Sequence, residues 1–292
     1  MTMPVFNRVT ALAVTVGAIL VSAGTALAGM GQPSPWQLGF QQSATPVMEN
    51  IASFHTFVLY VIAAISVFVL ALLIIIMVRF NARANPTPSR TTHNTLLEVA
   101  WTLIPVAILV VIAVPSFKLL FFQLNMPAMS AEQGDVTIKA TGKQWYWTYA
   151  YPDHGNFEFD SLLVRETKDL RPDQPRLLGV NNEMVVPLNK NIRIQTTGAE
   201  VIHAFAVPSF GIKIDSIPGR INETWFKATR EGIYYGQCSE LCGKDHAFMP
   251  IAVRVVSEAD YTAWLDQAKK KYASDNGDRP TAVAVAGESA QQ

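Results

Sequence analysis

Two long runs without a charged residue limit what this chain can fold into more than any other feature. Thr56 to Val78 holds 23 such residues, and as a helix they extend roughly 34 Å, enough to cross the ~30 Å hydrocarbon core of a bilayer. Val99 to Phe117 holds another 19. The sequence therefore predicts a two-helix transmembrane hairpin over residues 54–122, with spans at about 56–78 and 99–120.

Charges around these runs predict their orientation. Residues 79–97 contain three arginines and no acid, and the positive-inside rule places such a loop in the cytoplasm. Residues 1–28 carry one charge, then an apolar stretch, and end Ala-Leu-Ala, which is typical of a cleaved signal peptide. A retained anchor helix is the alternative. Both patterns predict that residues 29–53 and the chain beyond the second span lie on the exported side of the membrane.

From about residue 135 the pattern changes to short β-branched and aromatic runs separated by Pro, Gly, Asn and Asp turns. These runs are Val136–Ala140, Gln144–Tyr151, Met184–Leu188, Ile192–Thr196 and Ile251–Val256. They predict a β-sandwich or barrel over residues 135–257. Residues 258–272 have apolar residues at helical spacing and predict a terminal helix. Residues 273–292 are small and polar, which favours a disordered tail.

The charge balance and the cysteine count each exclude a class of protein. The chain has 23 Lys and Arg against 23 Asp and Glu, whereas binding to nucleic acid needs a basic surplus. With two cysteines, a disulfide-rich scaffold is excluded as well. The pair is therefore one bridge, two buried bystanders or two metal ligands.

Soft metal donors are concentrated in residues 236–250. Cys238, Cys242, His246 and Met249 lie in this segment, and thiolate, imidazole and thioether are ligands that suit copper. His203 lies about 35 residues upstream of the first cysteine and is the candidate ligand from another strand. One copper has no use for a second thiolate, so the pattern favours a dinuclear centre.

Two other interpretations of the cysteines stay open at this point. A disulfide is permitted in an exported domain, but it needs Cα atoms roughly 4.4–6.8 Å apart and leaves His246 and Met249 without a role. A zinc site with two Cys and two His is also possible, although tetrahedral zinc sites seldom recruit methionine.

The segment Gly236–Pro250, GQCSELCGKDHAFMP, resembles the copper loop of bacterial cytochrome c oxidase subunit II. The resemblance runs from about residue 38 to 267 in consistent order, and its other parts are the two apolar spans, Gln144–Trp147, Val201–Phe205 and Ile217–Arg220. It implies a membrane-anchored β protein, with a transmembrane hairpin followed by a cupredoxin-like β-sandwich that holds the dinuclear copper centre CuA. It also implies a bacterial inner membrane location, with the copper domain on the periplasmic side.

The resemblance implies a role for each donor. Cys238 and Cys242 would bridge the two coppers, His203 and His246 would bind one copper each, and Met249 would be a weak ligand. The main-chain carbonyl of Glu240 would complete the set. The Glu240 carboxylate would bind a magnesium ion shared with the catalytic subunit, in keeping with the preference of magnesium for oxygen ligands.

Four further residues match positions with roles in the family. Trp145 matches the tryptophan through which electrons enter, although strand packing alone would explain it. Glu98 matches the acid at the mouth of a proton channel of the catalytic subunit, although an exposed helix-end carboxylate would need no such role. Glu200 and Asp215 match acids that dock cytochrome c.

The docking surface departs from the family at two positions. Ala150 and Asn181 stand where acids are usual. Electrostatic steering depends on such acids and fades with salt. We therefore expect a weaker salt dependence of donor oxidation than in relatives that have these acids.

The implied function is electron acceptance within a terminal oxidase. Reduced cytochrome c would give single electrons to CuA, which passes them to haem in subunit I, where oxygen is reduced to water with proton pumping. Further expected partners are subunit III and membrane lipid. The rival interpretations are a copper-free subunit of a quinol oxidase and an exported copper carrier. A fused cytochrome c is excluded, because the tail contains no Cys-x-x-Cys-His.

Overall fold

The computed structural model describes residues 31–273, so the predicted signal peptide and residues 274–292 of the predicted tail lie outside the described residues. The described chain divides into two units. One comprises residues 31–126 with the turn at 208–211, and the other comprises residues 127–207 and 212–273. Each unit is described below by itself.

The first unit contains two helices, α1 (Pro46–Arg79) and α2 (Thr95–Leu124). Both are long and apolar enough to cross a membrane. None of the 30 residues of α2 is buried, and in α1 only Val47 and Met48 are buried. Apolar side chains that face outward along a whole helix match a surrounding of lipid rather than water. Pro105 and Pro115 lie inside α2 without ending it.

Both helices begin at capping residues outside the uncharged runs. The Thr45 side chain accepts a hydrogen bond from the Met48 N–H, and Pro46 follows it at the first helical position. The Asn94 side chain likewise accepts from the Leu97 N–H, and the Glu98 carboxylate accepts from the Asn94 N–H. Such caps satisfy amides that a helix leaves unpaired. The helices are therefore longer than the predicted spans, because helix ends follow caps and not hydropathy.

The second unit contains ten strands and one α-helix. The strands are β1 (Val136–Lys143), β2 (Tyr146–Tyr151), β3 (Phe157–Ser161), β4 (Met184–Pro187), β5 (Asn191–Gly198), β6 (His203–Val207), β7 (Ile212–Ser216), β8 (Asn222–Lys227), β9 (Gly232–Gln237) and β10 (Pro250–Val256), and the helix is α3 (Glu258–Ala273). They form sheets of order β3-β2-β1-β5-β8, β4-β10-β9 and β6-β7. This arrangement confirms the predicted class of two apolar helices followed by a β-sandwich.

The pairing of the strands brings the segments that form the candidate site close together. β1 pairs parallel with β5 and antiparallel with β2, and β9 pairs antiparallel with β10. β9 also approaches β6 closely, because a Cβ on Gly236 would lie only 1.9 Å from the Ala206 carbonyl oxygen. Aromatic and β-branched side chains fill the interior, among them the fully buried Trp147, Tyr149 and Phe205.

Candidate metal centre

The site lies where the first residue of β6 meets the loop between β9 and β10. His203 begins β6 and is fully buried. The loop is closed at its ends by a hydrogen bond from the Cys238 N–H to the Met249 carbonyl, 3.0 Å long. A second bond, from the Ser239 N–H to the Ala204 carbonyl, ties the loop to β6 at 3.1 Å. Backbone pairing thus positions the donors from both segments.

The side chains of His203, Cys238, Cys242 and His246 form a continuous row of metal donors. The three successive separations are 3.8 Å from His203 Nδ1 to Cys238 Sγ, 3.8 Å between the two Sγ atoms, and 3.6 Å from Cys242 Sγ to His246 Nδ1. Ligands bonded at about 2.0–2.3 Å to one tetrahedral metal lie roughly 3.6 Å apart. The row therefore has the spacing of ligands on shared metal ions, and both cysteines are free rather than bridged by a disulfide.

The two weaker candidate ligands lie at the same place. The Cys238 thiol donates to the Glu240 carbonyl at 3.3 Å, so this carbonyl faces the sulfur row. Met249 is 1% exposed and is the last residue of the loop, directly before β10. The Glu240 carboxylate is exposed instead, and it lines an open cavity of about 870 Å³ together with Asp215 and Arg220.

Burial favours the neutral forms of His203 and Cys242. It lowers the pKa of His203, and a weaker contribution in the opposite direction comes from the Glu200 carboxylate. Burial, followed by the adjacent Cys238 thiol, raises the pKa of Cys242 to about 12. A neutral imidazole binds metal without losing a proton, whereas a thiol has to release its proton when the metal arrives.

The Nε2 side of the His203 ring is held by packing and not by a hydrogen bond. Its Nε2 is buried and has no hydrogen-bond partner among residues 31–273. The Trp147 ring lies at 6.0 Å from it between centroids, and Gly142 lies against it, since a Cβ at this glycine would be 2.8 Å from two ring carbons. The sequence did not indicate either contact, because nothing in the local sequence shows which residues of distant strands pack together.

Trp145 contacts the loop between β9 and β10 through its indole. Its Nε1 donates to the Cys242 carbonyl at 3.0 Å, and the Gln144 side chain donates to the same carbonyl at 3.1 Å. These residues are 97 and 98 positions from Cys242. Gln144 was missed as a functional residue, and its place in the Gln-Trp-Tyr-Trp run was the only signal.

An ion pair holds the turn that carries His246. Arg165 donates to the Asp245 carboxylate at 3.1 Å, and its guanidinium lies 5.6 Å from the Phe248 ring centroid. Arg165 follows β3 and is 80 residues from Asp245, so no sequence motif indicated it.

The remaining residues that the sequence analysis named lie in different parts of the structure. Glu200 is exposed and accepts a hydrogen bond from the Gln144 N–H at 3.2 Å, beside Trp145. Asp215 is exposed on β7 and lines the cavity with Glu240. Glu98 lies in the first turn of α2, in the other unit. Ala150, on β2, is buried at 7% exposure.

Comparisons with known proteins cover both units. A family model described as cytochrome c oxidase subunit II, periplasmic domain, matches residues 136–256, and one for its transmembrane domain matches residues 33–119. The chain is 50% identical over 253 residues to a probable cytochrome c oxidase subunit 2 of Rickettsia bellii, covering 87% of this chain and 91% of that one. It is 45% identical over 257 residues to cytochrome c oxidase subunit 2 of Cereibacter sphaeroides, covering 82% and 83%.

A solved structure is also similar. It is the periplasmic domain of subunit II of cytochrome oxidase of Bradyrhizobium japonicum, which is 64% identical in sequence. The match covers 51% of this chain and 99% of that one, with a TM-score of 0.46.

Proposed function

Because the chain belongs to the family of cytochrome c oxidase subunit II, we propose that it is the subunit through which electrons enter a bacterial terminal oxidase. The observation that carries this proposal is the row of His203, Cys238, Cys242 and His246, with its separations of 3.6–3.8 Å. A copper-free subunit of a quinol oxidase has no need of this row.

The donor set fits a dinuclear copper centre of the CuA type. When bound, such a centre supplies reversible acceptance of single electrons. Cys238 and Cys242 would bridge the two ions, and each imidazole would hold one of them. Met249 and the Glu240 carbonyl would complete the set. The burial of His203 and of both cysteines excludes water from these three side chains and keeps their positions fixed, which favours electron transfer with little rearrangement.

We propose Trp145 as the side chain where the donor haem docks. Its hydrogen bond to the Cys242 carbonyl links the indole directly to a donor residue. The expected donor is a cytochrome c. Glu200 would contact it, and the position of its carboxylate at the Gln144 N–H, one residue before the indole, supports this. Asp215 remains a proposed docking acid on less direct grounds, since it shares a cavity with Glu240.

Membership of the family implies a subunit I as partner, and two finer proposals concern that contact. The exposed Glu240 carboxylate would share a magnesium ion with subunit I. Glu98 would lie at the mouth of its proton channel, although its hydrogen bond to the Asn94 N–H also stabilises the start of α2. We place the hairpin in the bacterial inner membrane, with the β domain in the periplasm. Subunit III and lipid are further proposed partners.

The test is a metal count on the full chain. We would purify it in detergent micelles, load it with copper, and measure copper per chain together with the electron paramagnetic resonance spectrum. The expected result is two coppers that share one unpaired electron. His154→Ala is a matched control, because this imidazole packs beside Tyr261 and its loss should leave the copper count unchanged.

Either of two results would contradict the proposal. A chain that binds no copper would favour the structural subunit of a quinol oxidase. A chain that binds copper but loses it rapidly to a mild chelator would favour an exported copper carrier.

A further inference from the structure

A lysine lies directly over the proposed electron-accepting indole. Lys244 is exposed, and its Nζ lies 5.6 Å from the Trp145 ring centroid. A cation at this distance is attracted electrostatically to the face of the ring. Gly243 brings the chain back over the indole with a φ of +123°, and a Cβ there would lie 2.9 Å from a Trp145 ring carbon.

The acid next to this lysine does not offset its charge. Asp245 is already paired with Arg165 at 3.1 Å, and the side chain of Arg165 is 58% exposed. The Glu200 carboxylate is the charge on the other side, bound to the Gln144 N–H at 3.2 Å. The surface at Trp145 therefore carries a cation over the ring and an acid at the neighbouring peptide, so it presents charges of both signs.

We propose that Lys244 is a specificity-determining residue that selects a donor haem protein with an acidic group beside its exposed haem edge. The inference rests on the proposed role of Trp145. In the transfer, one electron leaves the ferrous haem of the donor, which becomes ferric, and one oxidised centre in this chain is reduced. A donor with a uniformly basic rim would place a like charge against Lys244, whereas an acidic group would pair with it.

The size of the effect follows from the number of charges. Steering by a single exposed charge changes association rates by a few-fold at low ionic strength, and salt screens it beyond roughly 8–10 Å. Reversal of Lys244 should therefore change the rate of electron transfer in opposite directions for basic and acidic donors.

The experiment uses the intact oxidase complex that contains this chain. Two pre-reduced donors are mixed with it in a stopped-flow instrument at low and high ionic strength. One is mammalian cytochrome c with its basic rim, and the other is the same protein with succinylated lysines, which makes the rim acidic. We expect Lys244→Glu to raise the low-salt rate with the basic donor about three-fold, and to lower it with the acidic donor by a similar factor.

Three controls separate a docking effect from damage to the site. Lys270→Glu makes the same charge change on the exposed face of α3 and should leave both rates unchanged. Lys244→Gln should give about half of the logarithmic change seen for Lys244→Glu, because it removes one charge instead of reversing it. Copper content and the paramagnetic spectrum should be the same in all variants.

The outcomes also distinguish this inference from the proposed function. Equal changes with both donors, or no change with either, would overturn the role of Lys244 while leaving the proposed function intact. A copper-loaded complex that oxidises neither donor would overturn the proposed function itself, and the inference with it.

Discussion

The candidate metal centre has two halves that are built differently. The strand half consists of His203 and the residues packed on it, Gly142 and Trp147, which are all buried. The loop half runs from Cys238 to Met249, and it contains exposed residues such as Leu241, at 79% exposure. The loop is held by a few polar contacts, whereas the strand half is held by close packing. The difference indicates that folding fixes the strand half more tightly than the loop half, which a bound metal would hold further.

The largest expected effect is in the loop half. Cys242→Ser removes one of the two thiolates that would bridge the coppers, and an alcohol does not replace a thiolate as a ligand for copper. We expect complete loss of the two-copper signal, measured as copper per chain and by electron paramagnetic resonance. Ser239→Ala, at an exposed neighbouring position, should keep both coppers. A two-copper spectrum in the serine variant would show that this cysteine is not a ligand.

Alkaline pH should lower the stability of the packed strands. Burial raises the pKa of Tyr235, on β9, to about 12 from 10.0. A phenol that stays neutral in the folded state stabilises it fully below pH 10, and this contribution is lost as the pH rises through the folded value. We expect a loss of about 1.4 kcal/mol per pH unit from this residue between pH 10 and 12, measured by urea unfolding.

Two phenylalanine variants test whether burial is the cause. Tyr235→Phe should reduce the slope of stability against pH in this range. Tyr146→Phe, at a half-buried position at the start of β2, should leave the slope unchanged. Equal slopes in both variants would contradict the assignment to Tyr235.

A methyl group added to the strand half should cost stability as well as metal binding. In Gly142→Ala the new Cβ would lie 2.8 Å from the His203 ring, so the ring or the strand has to move. We expect a loss of about 2 kcal/mol in the free energy of unfolding without metal, and weaker copper binding. Gly39→Ala is the control, because nothing lies within 4 Å of its Cβ position. Unchanged stability in Gly142→Ala would mean that the strand half is not tightly packed.

The smallest effect is expected at the ion pair of the loop half. Arg165→Ala removes the partner of Asp245 and the contact with Phe248. Partly exposed pairs contribute less than about 1 kcal/mol, so unfolding should hardly change, while copper should dissociate a few-fold faster as the His246 turn loosens. Arg176→Ala is an exposed control on the same segment. A stability loss as large as that of Gly142→Ala would remove the distinction between the halves.

Hydropathy and strand patterns predicted the class of fold but not its boundaries. The uncharged run from residue 56 to 78 lies within α1, which starts ten residues earlier, at Pro46. The apolar runs predicted parts of β1, β2, β4, β5 and β10, but no run predicted β3, β7 or β8. β7 is short, and only its two end residues, Ile212 and Ser216, are buried. Such a strand is specified by its partner rather than by its own composition.

The donors of the site could be proposed from the sequence because most of them are close along the chain. Four side-chain donors lie within twelve residues, and their chemical types alone indicate a soft metal. The residues that hold and cover them could not be proposed in this way. Trp145 reaches the Cys242 carbonyl across 97 residues, and Arg165 reaches Asp245 across 80.

The sequence by itself determined the two apolar spans, the β class of the second unit and the set of candidate metal donors, because each depends on composition or spacing within a short segment. Only the tertiary structure decided which side chains surround those donors. The parallel pairing of β1 with β5 and the approach of β9 to β6 bring Gly142 and Trp145 to the site. Contacts of this kind depend on how distant strands pair, and no local pattern in a chain encodes that pairing.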